Sequence, residues 1–176
     1  MEKYLGDYLK KYIIAVVGHD AHAKEEHLKI AEQVGKEIAK KNCILVCGGR
    51  PRGVADSAAK GTKSENGFTI GILPESDNSK IGKYIDVPIL TGMGFARNQI
   101  ISYTCDAMIA IGGGVGTYCE MAYAYAFSKP IVAIEKLSGK SAELIGKYMD
   151  EKNKVKVLKA KDAKQAVELA IKNIKK

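Results

Sequence analysis

The segment of this 176-residue chain richest in chemical possibility is 112-GGGVGT-117. Gly112, Gly113, Gly114 and Gly116 strip side chains from a strand-to-helix turn. A ligand can then approach bare N–H groups where the helix N-terminus favours negative charge. Val115 completes the loop and Thr117 adds a hydroxyl donor. Four glycines in five residues exceed what a tight turn needs, so the pattern predicts a phosphate cradle. It is not a Walker A loop, because no GxxxxGK[ST] occurs. Nor is it a dinucleotide fingerprint, which would follow the first strand and place glycine where Thr117 stands.

Two side chains near this loop could act on a bound phosphate ester. Glu120 is the only charge on a helix that is otherwise apolar all round from Tyr118 to Phe127. A carboxylate there is costly unless it is paired or belongs to a site. Its other reading is a capping box, Thr117-x-x-Glu120, with the glutamate bonding back to the cap residue. Arg97 starts the preceding helix, and its planar fork suits phosphate. If the strands before these helices are neighbours, Arg97 and Glu120 overhang one crevice.

Three other loops carry candidate contacts. In 47-CGGRPRG-53, Gly48 and Gly49 frame Arg50, which reads either as a second anion cradle or as a surface turn. In 91-TGMGFARN-98, Asn98 follows Arg97. In 18-GHDAHA-23, His19 is a candidate hydrogen-bond partner for the ligand. His19 and His22, with Asp20 between them, have no additional ligand at a recognisable metal-binding spacing, so no metal site is expected. Cys43, Cys47, Cys105 and Cys119 have neither CxxC nor zinc spacing and read as small buried hydrophobes.

Positioning these loops requires strands that end beside them. Short Ile- and Val-rich runs at 12–17, 43–46, 68–72, 87–90, 107–111 and 130–134 read as buried parallel strands, with 155–158 as an edge strand. Between them, 24–41 and 163–174 show the 3.6-residue apolar period of amphipathic helices. The expectation is a Rossmann-like, doubly wound α/β fold: a mostly parallel sheet of about six or seven strands with helices on both faces. Ligands bind such sheets at the carboxyl ends of the strands, near the point where strand order reverses. No linker divides the chain, so residues 1–176 read as a single domain.

Composition narrows the function classes. No apolar run is long enough to span a bilayer, and the N-terminal MEKYLGDYLKK lacks a signal peptide's apolar core, which predicts a cytoplasmic protein. The net charge of +8 is concentrated in residues 140–176, where 11 lysines face 5 acidic residues. Those lysines alternate with apolar positions without arginine or aromatic interleaving, so a solvated face is expected rather than a nucleic-acid surface. The outer side of the 117–127 helix calls for a partner, predicting a homo-oligomer, dimer or tetramer, joined through it.

GGRPRGVADSAAKG, GMGFARN, DAMIAIGGGVGTYCEMAYA and KPIVAI, in that order across residues 12–135, resemble the LOG-like group, once labelled lysine decarboxylases. That group includes cytokinin-activating phosphoribohydrolases and molybdenum-cofactor carrier proteins. In its hydrolase branch the resemblance implies that Arg97 and Glu120 are catalytic and that Gly112 through Thr117 bind phosphate. This chain departs from the hydrolases with Asn98 in place of lysine, Ile111 in place of proline and Ala55 in place of methionine. Arg-Asn and Ile-Gly-Gly-Gly look more like the carrier-type branch. The resemblance implies a carrier of a phosphorylated nucleotide-like or pterin-like ligand, such as a nucleotide monophosphate or molybdenum cofactor, with no cofactor required. The alternative is a nucleoside 5′-monophosphate phosphoribohydrolase, and the third reading is single-stranded DNA binding. No decarboxylase site is implied.

Overall fold

The computed structural model describes residues 11–175, so most of MEKYLGDYLKK lies outside the described residues. Seven strands form one sheet: β1 (Ile13–Gly18), β2 (Ile44–Cys47), β3 (Phe68–Leu73), β4 (Val87–Leu90), β5 (Ala107–Ile111), β6 (Ile131–Ile134) and β7 (Leu158–Ala160). Their order is β4-β3-β2-β1-β5-β6-β7, and every pairing is parallel. The chain builds outward from β1 on one side, then returns to lay β5 on the other. The strand order therefore reverses between β1 and β5, which is where such sheets open a crevice. Asp106 fixes this junction: its carboxylate accepts from the Ile13 N–H at 2.8 Å, and its own N–H donates to the Ile13 carbonyl at 2.7 Å.

Side chains alternate across the pleat, so each central strand serves both faces. Ile14, Val16, Leu45, Ile109 and Val132 pack under α1 (Glu25–Lys40), α2 (Gly53–Ser64) and α6 (Ala163–Lys172). Ala15, Val17, Val46, Met108 and Ala133 pack under α3 (Arg97–Thr104) and α4 (Val115–Ala126). A four-residue turn of helix, α5 (Lys140–Glu143), follows β6. No helix among the described residues is long and apolar enough to cross a membrane.

Two strand expectations need correction. The 87–90 run is not a buried strand: β4 pairs only with β3, and all four of its residues are exposed. Pro88 explains why an edge suits it, since proline has no N–H to give a second neighbour. The other edge strand begins three residues later than expected. Val155 and Val157 pack into the α3–α4 core instead of joining the ladder, which starts at Leu158. Cys43, Cys47 and Cys105 are buried as expected, and burial pushes their thiols up to about 11, 11 and 12, whereas Cys119 is partly exposed.

Candidate functional site

A cleft of about 360 Å³ opens at the carboxyl ends of β1, β2 and β5. Its floor is Val16, Val17 and Gly18, and the beginnings of α3 and α4 converge on it. Arg97 and Glu120 meet here. The arginine Nη1 donates to Glu120 Oε1 at 3.2 Å, and both side chains are largely buried. The reason differs from the one the sequence suggested, because β4 and β5 are not neighbours: β3, β2 and β1 stand between them. After β4, the chain crosses back over the sheet as α3 and packs directly on α4. This crossing carries Arg97 from the sheet's edge to its centre. Ser102 staples the two helices, its hydroxyl lying 2.9 Å from both the Glu120 and the Asn98 carbonyl oxygens and sharing its one proton between them.

The capping-box reading of Glu120 is overturned. Helix α4 begins at Val115 with Gly114 as its cap, which puts Thr117 inside the first turn. Glu120 is thus free to face the cleft. Burial pushes its carboxyl up to about 7, against the pull of the Arg97 guanidinium. A buried acid close to half-protonated at neutral pH can hold or give a proton.

The glycines of the 112–117 loop divide into two kinds. Gly112 and Gly113 are buried with φ of 64° and 89°. A Cβ on Gly112 would stand 2.7 Å from His19, and one on Gly113 would stand 2.2 Å from the Thr117 hydroxyl. The turn itself requires them. Gly114 has an ordinary φ of −114°, and a Cβ there would meet nothing within 4 Å. The fold does not need glycine at 114, yet that position lines the cleft with Gly116 and Thr117. Its bareness leaves the unpaired N–H groups of the first helical turn accessible.

The other predicted contacts also divide. Asn98, His19, Gly48 and Arg50 line the cleft, whereas Gly49, Gly112, Gly113 and Val115 do not. Gly49 is buried against Leu73 and Gly71, and Val115 points into solvent at 74% exposure. A Cβ on Gly48 would lie 3.0 Å from the Arg97 guanidinium, so glycine at 48 gives that side chain room. Arg50 is held by carboxylate: its Nε donates to Glu75 at 2.8 Å and its Nη2 bonds to the same oxygen. Arg52 makes a two-pronged pair with Asp20, at 2.6 and 2.7 Å. His19 stacks edge-on against the buried His27 at 4.9 Å, and burial together with that neighbour lowers its pKa. Among the described residues, no three His, Cys, Asp or Glu side chains group closely enough to hold a metal ion.

Sequence reasoning missed Pro74 and Phe95, which complete the cleft wall. Pro74 carried no signal. Phe95 did, as an aromatic residue two positions before Arg97 in a glycine-rich loop.

Residues 11–167 match the SLOG cluster4 family. The structure of a molybdenum cofactor binding protein from the phototrophic bacterium Rippkaea orientalis superposes with a TM-score of 0.85 at 35% identity, covering 95% of this chain and 99% of that one. The molybdenum cofactor carrier protein of Chlamydomonas reinhardtii superposes with a TM-score of 0.80 at 36% identity, over 94% and 98% of the two chains. In sequence, a cytokinin riboside 5′-monophosphate phosphoribohydrolase of Mycobacterium tuberculosis is 28% identical over 73% of each protein.

Proposed function

The chain belongs to the SLOG cluster4 family, within the LOG-like group and near its molybdenum-cofactor carrier branch, and from that premise we propose that it is a cytoplasmic binding or carrier protein. Its ligand is a phosphorylated nucleotide-like or pterin-like molecule, with molybdenum cofactor as one possible cargo. One observation carries the reading: Gly114, a glycine the fold does not require, faces the same cleft as Arg97. In the bound state the phosphate sits on the first turn of α4, with Thr117 and Arg97 donating to its oxygens. Mass spectrometry of small molecules released from the undenatured protein tests this. A phosphorylated nucleotide or pterin is expected, and a ligand without phosphate would overturn it.

A second reading has its own support. A buried carboxyl with a pKa near 7, bonded to an arginine, is equipped for N-glycosidic hydrolysis of nucleoside 5′-monophosphates. Glu120 would then act on water or the ribose while Arg97 held the phosphate. Free base released by the wild type and reduced about 10²-fold or more in Glu120→Gln would establish this reading over the carrier. The outer aromatic face formed by Tyr103, Tyr123 and Phe127 supports a homo-oligomer joined through α4. Sedimentation showing only a 19.0 kDa monomer at micromolar concentration would remove that part.

A further inference from the structure

Phe95 is the most exposed large apolar side chain among the described residues, at 78%, yet it lines the cleft. It sits in a short 3₁₀ turn, Gly94–Ala96, between Thr91 and the start of α3. The turn is anchored rather than loose. Gly94 N–H donates to the Pro74 carbonyl at 3.2 Å, Gly92 N–H to the Glu75 carbonyl at 3.0 Å, and Ala96 N–H to the Met93 carbonyl at 3.1 Å. The ring is therefore held at the cleft mouth, its edge 3.5 Å from where a Cβ on Gly116 would stand. That places a bare aromatic surface beside the first turn of α4, where the phosphate is read to bind.

Two other exposed aromatic residues, Tyr103 on α3 and Tyr123 on α4, lean on the partly buried Phe127. Tyr103 packs edge-on against Phe127 at 4.9 Å, and Tyr123 stacks over Phe127 at 6.4 Å. Phe95 has no aromatic neighbour among the described residues. Leaving a phenylalanine in water forgoes roughly 1.5–3 kcal/mol of burial. The cleft lining also includes the apolar side chains of Val17, Ala55 and Pro74, which offer a phosphate no hydrogen bond. An occupant matching both ends carries phosphate at one and a flat apolar face at the other.

We propose that Phe95 is a stacking platform for a planar heteroaromatic ring of the ligand, so that the cleft selects phosphates that carry such a ring over phosphates that lack one. This rests on the reading of the cleft as a phosphate-ligand site. Stacking needs only a π-face and tolerates different rings, whereas the loop and Arg97 recognise the phosphate. Phe95 is thus a specificity determinant, and the phosphate contacts do not depend on it.

The test compares adenosine 5′-monophosphate with ribose 5-phosphate by titration calorimetry on the full chain. Wild type should bind the nucleotide more tightly. Phe95→Ala should weaken the nucleotide about tenfold and leave ribose 5-phosphate within about twofold, and Phe95→Leu should behave like alanine because it keeps bulk without a π-face. The chain has no tryptophan, so Phe95→Trp adds a single reporter whose fluorescence the nucleotide should quench and ribose 5-phosphate should not. Equal loss for both probes in Phe95→Ala, or no loss for either, would overturn the platform while leaving the phosphate site standing. Failure of both probes to bind wild type would remove the phosphate site and the platform together. Dissociation of an oligomer by Phe95→Ala, with nucleotide affinity unchanged, would instead assign the ring to subunit contact.

Discussion

Two glycine-rich loops, 47–53 after β2 and 112–117 after β5, present similar inventories: small residues, a helix beginning at their end, and arginine within reach. They differ in what holds the arginine. Around 112–117, Arg97 is paired with a buried carboxyl that burial drives toward its neutral form, so the guanidinium keeps charge to offer an anion. Around 47–53, Arg50 and Arg52 are matched to Glu75 and Asp20, and the Glu75 carboxyl is held below the usual range, chiefly by its bond to Arg50. On the proposed reading the first loop receives negative charge, whereas the second is a rim whose arginines are already matched by carboxylates. Glycine content and arginine count do not separate them; the state of the opposing carboxylate does.

The sharpest way to break this comparison is to remove one arginine from each side. Arg97→Ala should lower affinity for adenosine 5′-monophosphate about 10²-fold, the scale of losing one partner from a buried charged contact. Arg52→Ala, on the exposed rim, should change it less than about threefold. Equal losses in calorimetric titration would erase the distinction. Gly114→Asp should have the next largest effect. It sets a carboxylate over the first turn of α4 and should weaken the same ligand more than tenfold, above roughly 1.4 kcal/mol. Because a Cβ at 114 meets nothing within 4 Å, the variant should keep its melting temperature.

A third prediction concerns pH. The folded Glu120 holds its proton up to about 7, whereas its ordinary value is 4.5. Between those values the folded chain binds a proton that the unfolded chain has released, so this group's contribution to stability falls as pH rises through the window and levels off above it. The decline should be on the order of 3 kcal/mol. Denaturant midpoints from pH 4.5 to 8 should show it, and Glu120→Gln should flatten it. An unchanged slope in the variant would place the titrating group elsewhere. The smallest effect belongs to the rim: Asp20→Asn frees Arg52 but should cost under about 1 kcal/mol of stability, because the pair is solvent-exposed. A rise in nucleotide affinity above about threefold in that variant would show the rim to be a held-back part of the site.

Much of this architecture was legible in the sequence, for reasons that can be stated residue by residue. Runs such as AMIAI and VPIL match β5 and β4 residue for residue, because short β-branched stretches bounded by glycine or polar residues have few other places to go. Strand order was not legible, because a crossover's length does not say how many strands it passes over. Arg97 and Glu120 were accordingly expected together on a wrong premise. Helix α3 brings them together by crossing the sheet, and only its packing on α4 reveals this. The pairing of Arg50 was hidden too, since Glu75 lies 25 residues away with no periodic relation to it. Phe95 was overlooked because an aromatic residue in a loop looks the same in sequence whether it is buried or bare.

The junction of β1 with β5 also governs how the protein comes into being. Ile14 pairs with Ala107, 93 residues later, whereas β1, β2 and β3 pair in chain order under α1 and α2, which pack on each other. During synthesis at about 5–20 residues per second, β1 waits roughly 5–20 s for its second neighbour. β1 thus gains its partner on one side from nearby sequence and on the other only from distant sequence, and it ends as the middle strand of the sheet. The cleft does not exist until β5 pairs with β1, so a ligand can stabilise only a chain that has already closed this junction.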